Sequence, residues 1–324
     1  MSRPERIAMG AEDSGPCDGL RVAVLVPCFN EEVAIAKVVN DFRAVLPQAA
    51  VYVYDNNSTD RSAEIARAAG AAVRREAHQG KGSVVRRMFC DVDADVFVLV
   101  DGDATYDAPS VSAMIARLLD DRLDMVVAAR VDHEKAAYRL GHRTGNRLFT
   151  AFVAVVFNTA LTDILSGYRV FSRRFVKSFP VLSDGFEIET ELSVHALELA
   201  LPVAEIETPY YARPEGSFSK LNTWRDGFRI LGTILKLYRS EKPLRFFTAI
   251  GVFLTLVSIA LAIPVIVIYL EQGIVPRLPT AVLSTGFMIV AILSVSSGLV
   301  LDTVTRGRRE MKLLAYLSQP AMKQ

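Results

Sequence analysis

The sequence predicts an α/β domain built on a mostly parallel sheet and followed by two helices apolar enough to cross a membrane. Two patterns carry this. Short apolar runs alternate with helical stretches through the first 130 residues, and two long uncharged runs lie near the C-terminus. A third pattern points to a site: several of the expected strands end in acidic or amide clusters, and open sheets of this kind bind ligands beyond the carboxyl ends of their strands.

Taken in order, residues 1–20 read as a polar tail with no apolar leader, and Arg21 to Val26 as a first strand. A helix is expected over Glu32 to Leu46, a strand over Val51 to Tyr54, and a helix over Arg61 to Ala69. There follow a short strand at Ala72 to Arg75, a helix from Lys81 to about Cys90, and a strong buried strand at Val96 to Val100. A helix around Ser110 to Asp120 and a strand at Met125 to Ala129 complete the regular part, within a catalytic domain expected over 21–222. Beyond Arg130 the rhythm changes. Residues 138–158 read as a helix with a greasy later half and Arg139, Arg143 and Arg147 at spacing four, the pattern of a helix lying at a membrane surface. Residues 223–243 read as a second amphipathic, juxtamembrane helix.

The uncharged stretches at 246–270 and 279–301, within an expected anchor at 244–305, are each long enough to cross a hydrocarbon layer of roughly 30 Å. Lys236, Arg239, Lys242 and Arg245 precede the first, and Arg306, Arg308, Arg309 and Lys312 follow the second. The positive-inside rule therefore puts both flanks, the catalytic domain and a tail at 306–324 on the cytoplasmic side of a cell (inner) membrane, in a multi-pass arrangement with the lipid bilayer as partner.

Composition excludes other classes. A net charge of +1 argues against a nucleic-acid partner. Cys17, Cys28 and Cys90 show no metal-ligand spacing, and neither do His78, His133, His142 and His195.

The strand-end clusters are Pro27 to Glu32, Asp55 to Asp60, and Asp101-Gly102-Asp103. Singly each fits a helix cap or an Asx-turn; three on one sheet edge are harder to explain that way. Two carboxylates separated by a small residue can hold a hard dication against a nucleotide diphosphate, which makes Mg²⁺ or Mn²⁺ the expected cofactor at Asp101 and Asp103. Gln79-Gly80-Lys81-Gly82 opens a helix whose N–H groups and ammonium suit phosphate.

Together with Asp163 to Arg169, Gly185 to Leu192, and Arg213 through Lys220 and Leu221, these stretches resemble family 2 glycosyltransferases of the GT-A fold. The resemblance is closest to the polyprenyl-phosphate group, relatives of dolichyl-phosphate mannose synthase and the bacterial undecaprenyl-phosphate transferases. It implies a GT-A, Rossmann-like sheet and inverting transfer of a sugar from a UDP- or GDP-sugar to a polyprenyl phosphate. It also implies that Pro27, Asn30, Glu31, Asp55 and Asn57 line the base and ribose. Lys81, Gly102 and Glu189 fall to the donor, Asp101 and Asp103 to the metal, and Arg213 and Lys220 to a loop over the diphosphate. Phe29 and Asn56 depart from the family's usual Tyr and Asp, and the Gln-x-x-Arg-Trp motif of processive synthases is absent.

A phosphate acceptor is mostly dianionic at neutral pH and needs cations more than a general base. Arg130 and Arg143 are the candidate guanidinium groups for it. The enzymatic rival, transfer to a hydroxyl, would use Asp163 as base; the non-enzymatic rival is a silent membrane scaffold. Donor sugar, base, and whether the chain forms a homo-oligomer stay open at this stage.

Overall fold

The computed structural model describes residues 19–132, 150, 161–181, 183, 185, 187–214, 232 and 235–321, and every structural statement below concerns these. The five expected strands are present as β1 (Val22–Cys28), β2 (Ala50–Asp55), β3 (Ala72–Arg75), β4 (Val96–Leu99) and β5 (Met125–Asp132). Between them lie α1 (Ile35–Val45), α2 (Ser62–Ala68), α3 (Lys81–Asp91) and α4 (Ser110–Asp120). Two strands that the sequence reading did not contain, β6 (Arg169–Ser172) and β7 (Val203–Tyr210), complete one sheet in the order β3-β2-β1-β4-β6-β5-β7. Helices α5 (Arg173–Ser178) and α6 (Ile188–Glu198) connect them. All neighbours pair parallel except β6, which runs against both β4 and β5. The carboxyl ends of β1, β2, β4, β5 and β7 therefore share one edge, and the loop entering β6 arrives at the same edge.

Side chains of β1 alternate between two cores, as a pleated strand buried on both faces requires. Val22, Val24 and Val26 pack with α1 and α4 through Val38, Phe42, Met114 and Ile115. Ala23 and Leu25 face the opposite side, where Met88 and Phe89 of α3 meet Phe171, Phe175 and Leu192. The four residues of β6 are all buried, and Ser172 at its end caps α5 by accepting from the Phe175 N–H at 3.1 Å.

Contacts divide the chain into two units, Met1–Leu221 with Lys312–Gln324, and Asn222–Met311. The second contains α7 (Pro243–Gln272) and most of α8 (Leu278–Leu317), both long and apolar enough to span a membrane. Their mutual contact uses small residues at a spacing of seven. Gly251 lets α7 approach so closely that an added Cβ would stand 3.0 Å from the Ala291 carbonyl, and Ser258 donates to the Ser284 carbonyl at 2.7 Å. Large apolar side chains such as Phe253, Leu256, Val282 and Leu293 face outward, as lipid-facing positions do.

The segment expected as a C-terminal tail at 306–324 begins as helix. The helix continues unbroken to Leu317, and its last turns belong with the sheet unit. Tyr316 is buried in the second core, donates to Asp124 at 2.7 Å and lies under the Arg174 guanidinium, while Lys312 pairs with Glu198 at 2.7 Å. The expected surface helix at 138–158, apart from residue 150, and about half of the one at 223–243 fall outside the described residues; 235–241 is helical.

Candidate active site

The edge begins with two loops that hold each other. Asn30, at a φ of 53°, donates its N–H to the Ser58 hydroxyl at 2.9 Å, and its amide oxygen accepts from the Thr59 N–H at 2.7 Å. The Glu31 N–H donates to the Ser62 hydroxyl at 2.7 Å, and that hydroxyl donates to Asp60 at 2.6 Å. Asp55 is buried and accepts from the Ser58 N–H at 3.2 Å. Asn56 ties in the next loop by donating to the carbonyls of Glu76 and His78 and accepting from the Gly80 N–H at 2.7 Å. Asn57, also left-handed at a φ of 65°, donates to the Ala77 carbonyl at 2.8 Å. The amides of Asn30 and Asn57, expected at the nucleotide, thus also set the loop geometry around Pro27 and Asp55. Cys28 is fully buried, and burial pushes its thiol up to about 12, so it stays protonated and inert.

At the centre, Lys81 of α3 bridges Asp101 and Glu189. Burial alone would lower the Lys81 ammonium, but the two carboxylates outweigh it and hold it above the ordinary lysine range. Asp103 is 5% exposed; burial, and then the neighbouring Asp101 carboxylate, push its carboxyl up, while Arg213 opposes at 2.7 Å. The Thr105 hydroxyl donates to Asp103 at 2.6 Å and fixes its rotamer. Gly102 is packed beneath the pair by Ile35 and Val26. Gly167 is glycine for a steric reason, since a Cβ there would fall on the Asp101 carboxylate. Its N–H donates to the Tyr106 phenol oxygen at 2.9 Å.

From Tyr106 the site passes to Tyr210, with ring centroids 5.3 Å apart, and from Tyr210 to the Arg130 guanidinium 5.5 Å above it. Arg130 grips Asp163 through Nε at 2.6 Å and Nη2 at 2.8 Å. Both oxygens of the carboxylate that the hydroxyl-transfer alternative would use as a base are thus occupied by a guanidinium fork. Arg169, quoted in the sequence only as part of a motif, is fully buried: it donates to the carbonyls of Ile164 at 2.5 Å and Ser166 at 2.9 Å, and to the Ser193 hydroxyl at 2.9 Å. Burial lowers its guanidinium to about 10, still charged at neutral pH. Its role in shaping the 161–168 loop, like those of Tyr106, Thr105 and Glu205, was missed; a buried arginine on a four-residue strand leaves no periodic signal. Arg143 and Lys220 lie outside the described residues.

Asp101 and Asp103 form a hard-oxygen pair, and among the described residues no third His, Cys, Asp or Glu joins them in a metal-binding group. That set suits a cation that takes its remaining ligands from phosphate and water, the habit of Mg²⁺ and Mn²⁺.

Comparison with known proteins now bears on this edge. The profile described as Glycosyl transferase family 2 matches residues 23–179, from the second residue of β1 to just past α5. The glycosyltransferase AglJ of Haloferax volcanii is 32% identical over 291 residues, covering 89% of this chain and 95% of the relative. The chain belongs to glycosyltransferase family 2. A second relative of this family 2 glycosyltransferase, a dolichyl-phosphate hexose transferase of the same organism, is 27% identical over 221 residues, 68% of this chain and 95% of the relative. Among solved structures, the Mycobacterium tuberculosis glucosyl-3-phosphoglycerate synthase in complex with Mn²⁺, UDP and glucosyl-3-phosphoglycerate superposes with a TM-score of 0.56 at 21% identity, over 69% of this chain and 80% of that one. The shared architecture is the GT-A fold.

Proposed function

We propose that this family 2 glycosyltransferase moves a hexose-type sugar from a UDP- or GDP-sugar to a polyprenyl phosphate at the cytoplasmic face of a membrane, with inversion at the anomeric carbon. The observation that supports this most is the row of cation–carboxylate pairs along one sheet edge, Lys81 with Asp101 and Glu189, Arg213 with Asp103, and Arg130 with Asp163, in a chain that also carries two apolar helices of membrane-spanning length.

In this reading the loops after β1 and β2, with Pro27, Glu31 and Asp55, take the base and ribose. Asp101 and Asp103 would hold the dication, which when bound neutralises charge on the departing nucleoside diphosphate. Lys81 and Arg213 already stand against those carboxylates and are within reach of the diphosphate that would arrive there. Arg130 is the acceptor's cation: its fork matches a phosphate as well as it matches Asp163. A dianionic phosphate oxygen is itself the nucleophile, so the engagement of Asp163 by Arg130 is no obstacle, whereas a hydroxyl acceptor would need that carboxylate as a base. The dolichyl phosphate in the name of the Haloferax relative supports a phosphate acceptor here. Apolar α7 and α8 would keep the site where a lipid substrate is concentrated.

The test is to incubate the purified full-length protein with polyprenyl phosphate, Mg²⁺ or Mn²⁺ and a panel of radiolabelled UDP- and GDP-sugars. Label should enter the lipid phase with one donor and only when the polyprenol carries phosphate. Equal transfer to unphosphorylated polyprenol or to a soluble glycan would overturn the reading.

A further inference from the structure

One carboxylate at this edge has no place in the scheme above. Glu205 stands on β7 in register with Val127 of β5, with two strands between β7 and β4, the strand that leads to Asp101. It is held by three hydrogen bonds from the loop that enters β6, a segment 42 and 43 residues distant in sequence. The Thr162 N–H donates to its Oε2 at 2.7 Å and the Thr162 hydroxyl to the same oxygen at 3.0 Å. The Asp163 N–H donates to Oε1 at 2.9 Å. Two successive backbone N–H groups therefore converge on one anion.

Water would satisfy such groups in an exposed loop, and Thr162 is exposed. A carboxylate supplied across the sheet does something water cannot: it fixes the backbone of Asp163. The next link is the fork itself, because Asp163 accepts from Arg130 Nε at 2.6 Å, Nη2 at 2.8 Å and the Arg130 N–H at 3.2 Å. With Asp163 pinned from behind and Arg130 held in a bidentate grip, the guanidinium is presented over Tyr210 at one angle.

We infer that Glu205 is a positioning residue for acceptor binding, acting through Asp163 to aim the Arg130 guanidinium at the acceptor phosphate. The inference rests on the reading that Arg130 binds that phosphate. A glutamine cannot replace the carboxylate, since one end of its amide is a donor and would face either the Thr162 or the Asp163 N–H.

The test compares full-length wild type with Glu205→Gln, Arg130→Ala and the double variant, reading KM for polyprenyl phosphate, Kd for the nucleotide, and amide hydrogen exchange at Thr162 and Asp163. Loss of one charge-assisted contact in the chain corresponds to about a tenfold rise in acceptor KM for Glu205→Gln, with nucleotide Kd unchanged. Exchange at Thr162 and Asp163 should quicken. In the Arg130→Ala background the Glu205→Gln substitution should add less than about twofold, because residues acting in one chain are not additive. A fully additive double variant, an unchanged acceptor KM, unchanged exchange, or a parallel loss of nucleotide affinity would each overturn the inference. Failure of the underlying reading shows separately, as an Arg130→Ala single variant with wild-type acceptor KM.

Discussion

The two halves of the sheet handle charge differently. In the β3-β2-β1-β4 half, the strand-end loops are tied by side chains bonded to backbone and hydroxyl groups of neighbouring loops, as with Asn30 and Thr59 or Asn56 and Gly80. In the β6-β5-β7 half, guanidinium groups shape the edge: Arg169 organises the 161–168 loop from within the core, and Arg130 grips Asp163 at its rim. The first arrangement builds a rigid polar cradle suited to a nucleotide, which offers many hydrogen-bonding groups. The second sets two guanidinium groups, largely out of solvent, against backbone carbonyls and a carboxylate. The difference shows that one sheet edge can be built by two means, amide and hydroxyl ties along the parallel strands β3-β2-β1-β4 and guanidinium groups around the antiparallel strand β6.

The largest expected effect falls at the junction of the halves. Asp103→Asn should lower transfer by on the order of a thousandfold, since a neutral amide replaces a carboxylate ligand of a hard dication and several kcal/mol of charge stabilisation is lost. The fold should persist, because Asn keeps the acceptor for the Thr105 hydroxyl; circular dichroism and transfer rate measured together check this. Activity near wild type would remove the metal from the account.

Next comes the interior of the second half. Arg169→Met would leave the Ile164 and Ser166 carbonyls without their guanidinium donors and should cost about 3 kcal/mol of stability, read by denaturant unfolding of the purified protein. If the comparison holds, acceptor KM should deteriorate in this variant more than nucleotide Kd.

The difference between the halves also governs what could be read in advance. Strands β1, β2 and β4 are continuous apolar runs followed by Asp or Asn, and α1 places Val38, Val39 and Phe42 on one buried face, so periodicity alone revealed them. Asp101, Asp103, Asp55 and Lys81 followed because they stand directly after strands or at a helix start. Strand β6 was missed since four residues, one of them arginine, show no alternation, and its place between β4 and β5 is set by antiparallel pairing with strands distant in the chain. Glu205 was missed for the same reason: its meaning lies in a loop more than forty residues earlier in the chain. Tyr316 was read only as part of the tail at 306–324 because nothing local distinguishes it; in the structure it is buried, with Asp124 and Arg174 as its partners.

A smaller effect concerns His195, 1% exposed between Phe175 and Phe179, with neither ring nitrogen hydrogen-bonded among the described residues. Burial, aided by Lys312, pushes it down to about 3 from an ordinary 6.5. Its folded-state value is depressed, so its contribution to stability is complete above about 6.5 and is lost progressively as pH falls toward 3. His195→Leu should be close to neutral in stability at pH 7 and should flatten the decline between pH 6.5 and 4, followed by thermal unfolding across that range. An unchanged slope would show that the imidazole does not stay neutral there.

The central proposal is that Arg130 holds the acceptor phosphate while the nucleotide is held by the β1, β2 and β4 loops together with Arg213, and Arg130→Ala tests it most directly. Removing a guanidinium that makes charge-assisted bonds worth roughly 1.5 to 3 kcal/mol should raise KM for polyprenyl phosphate about ten- to a hundredfold. Kd for the nucleotide, measured on the same preparation, should stay within about twofold, because the β1, β2 and β4 loops are untouched. An unchanged acceptor KM, or a nucleotide Kd that weakens in step with it, would contradict the division.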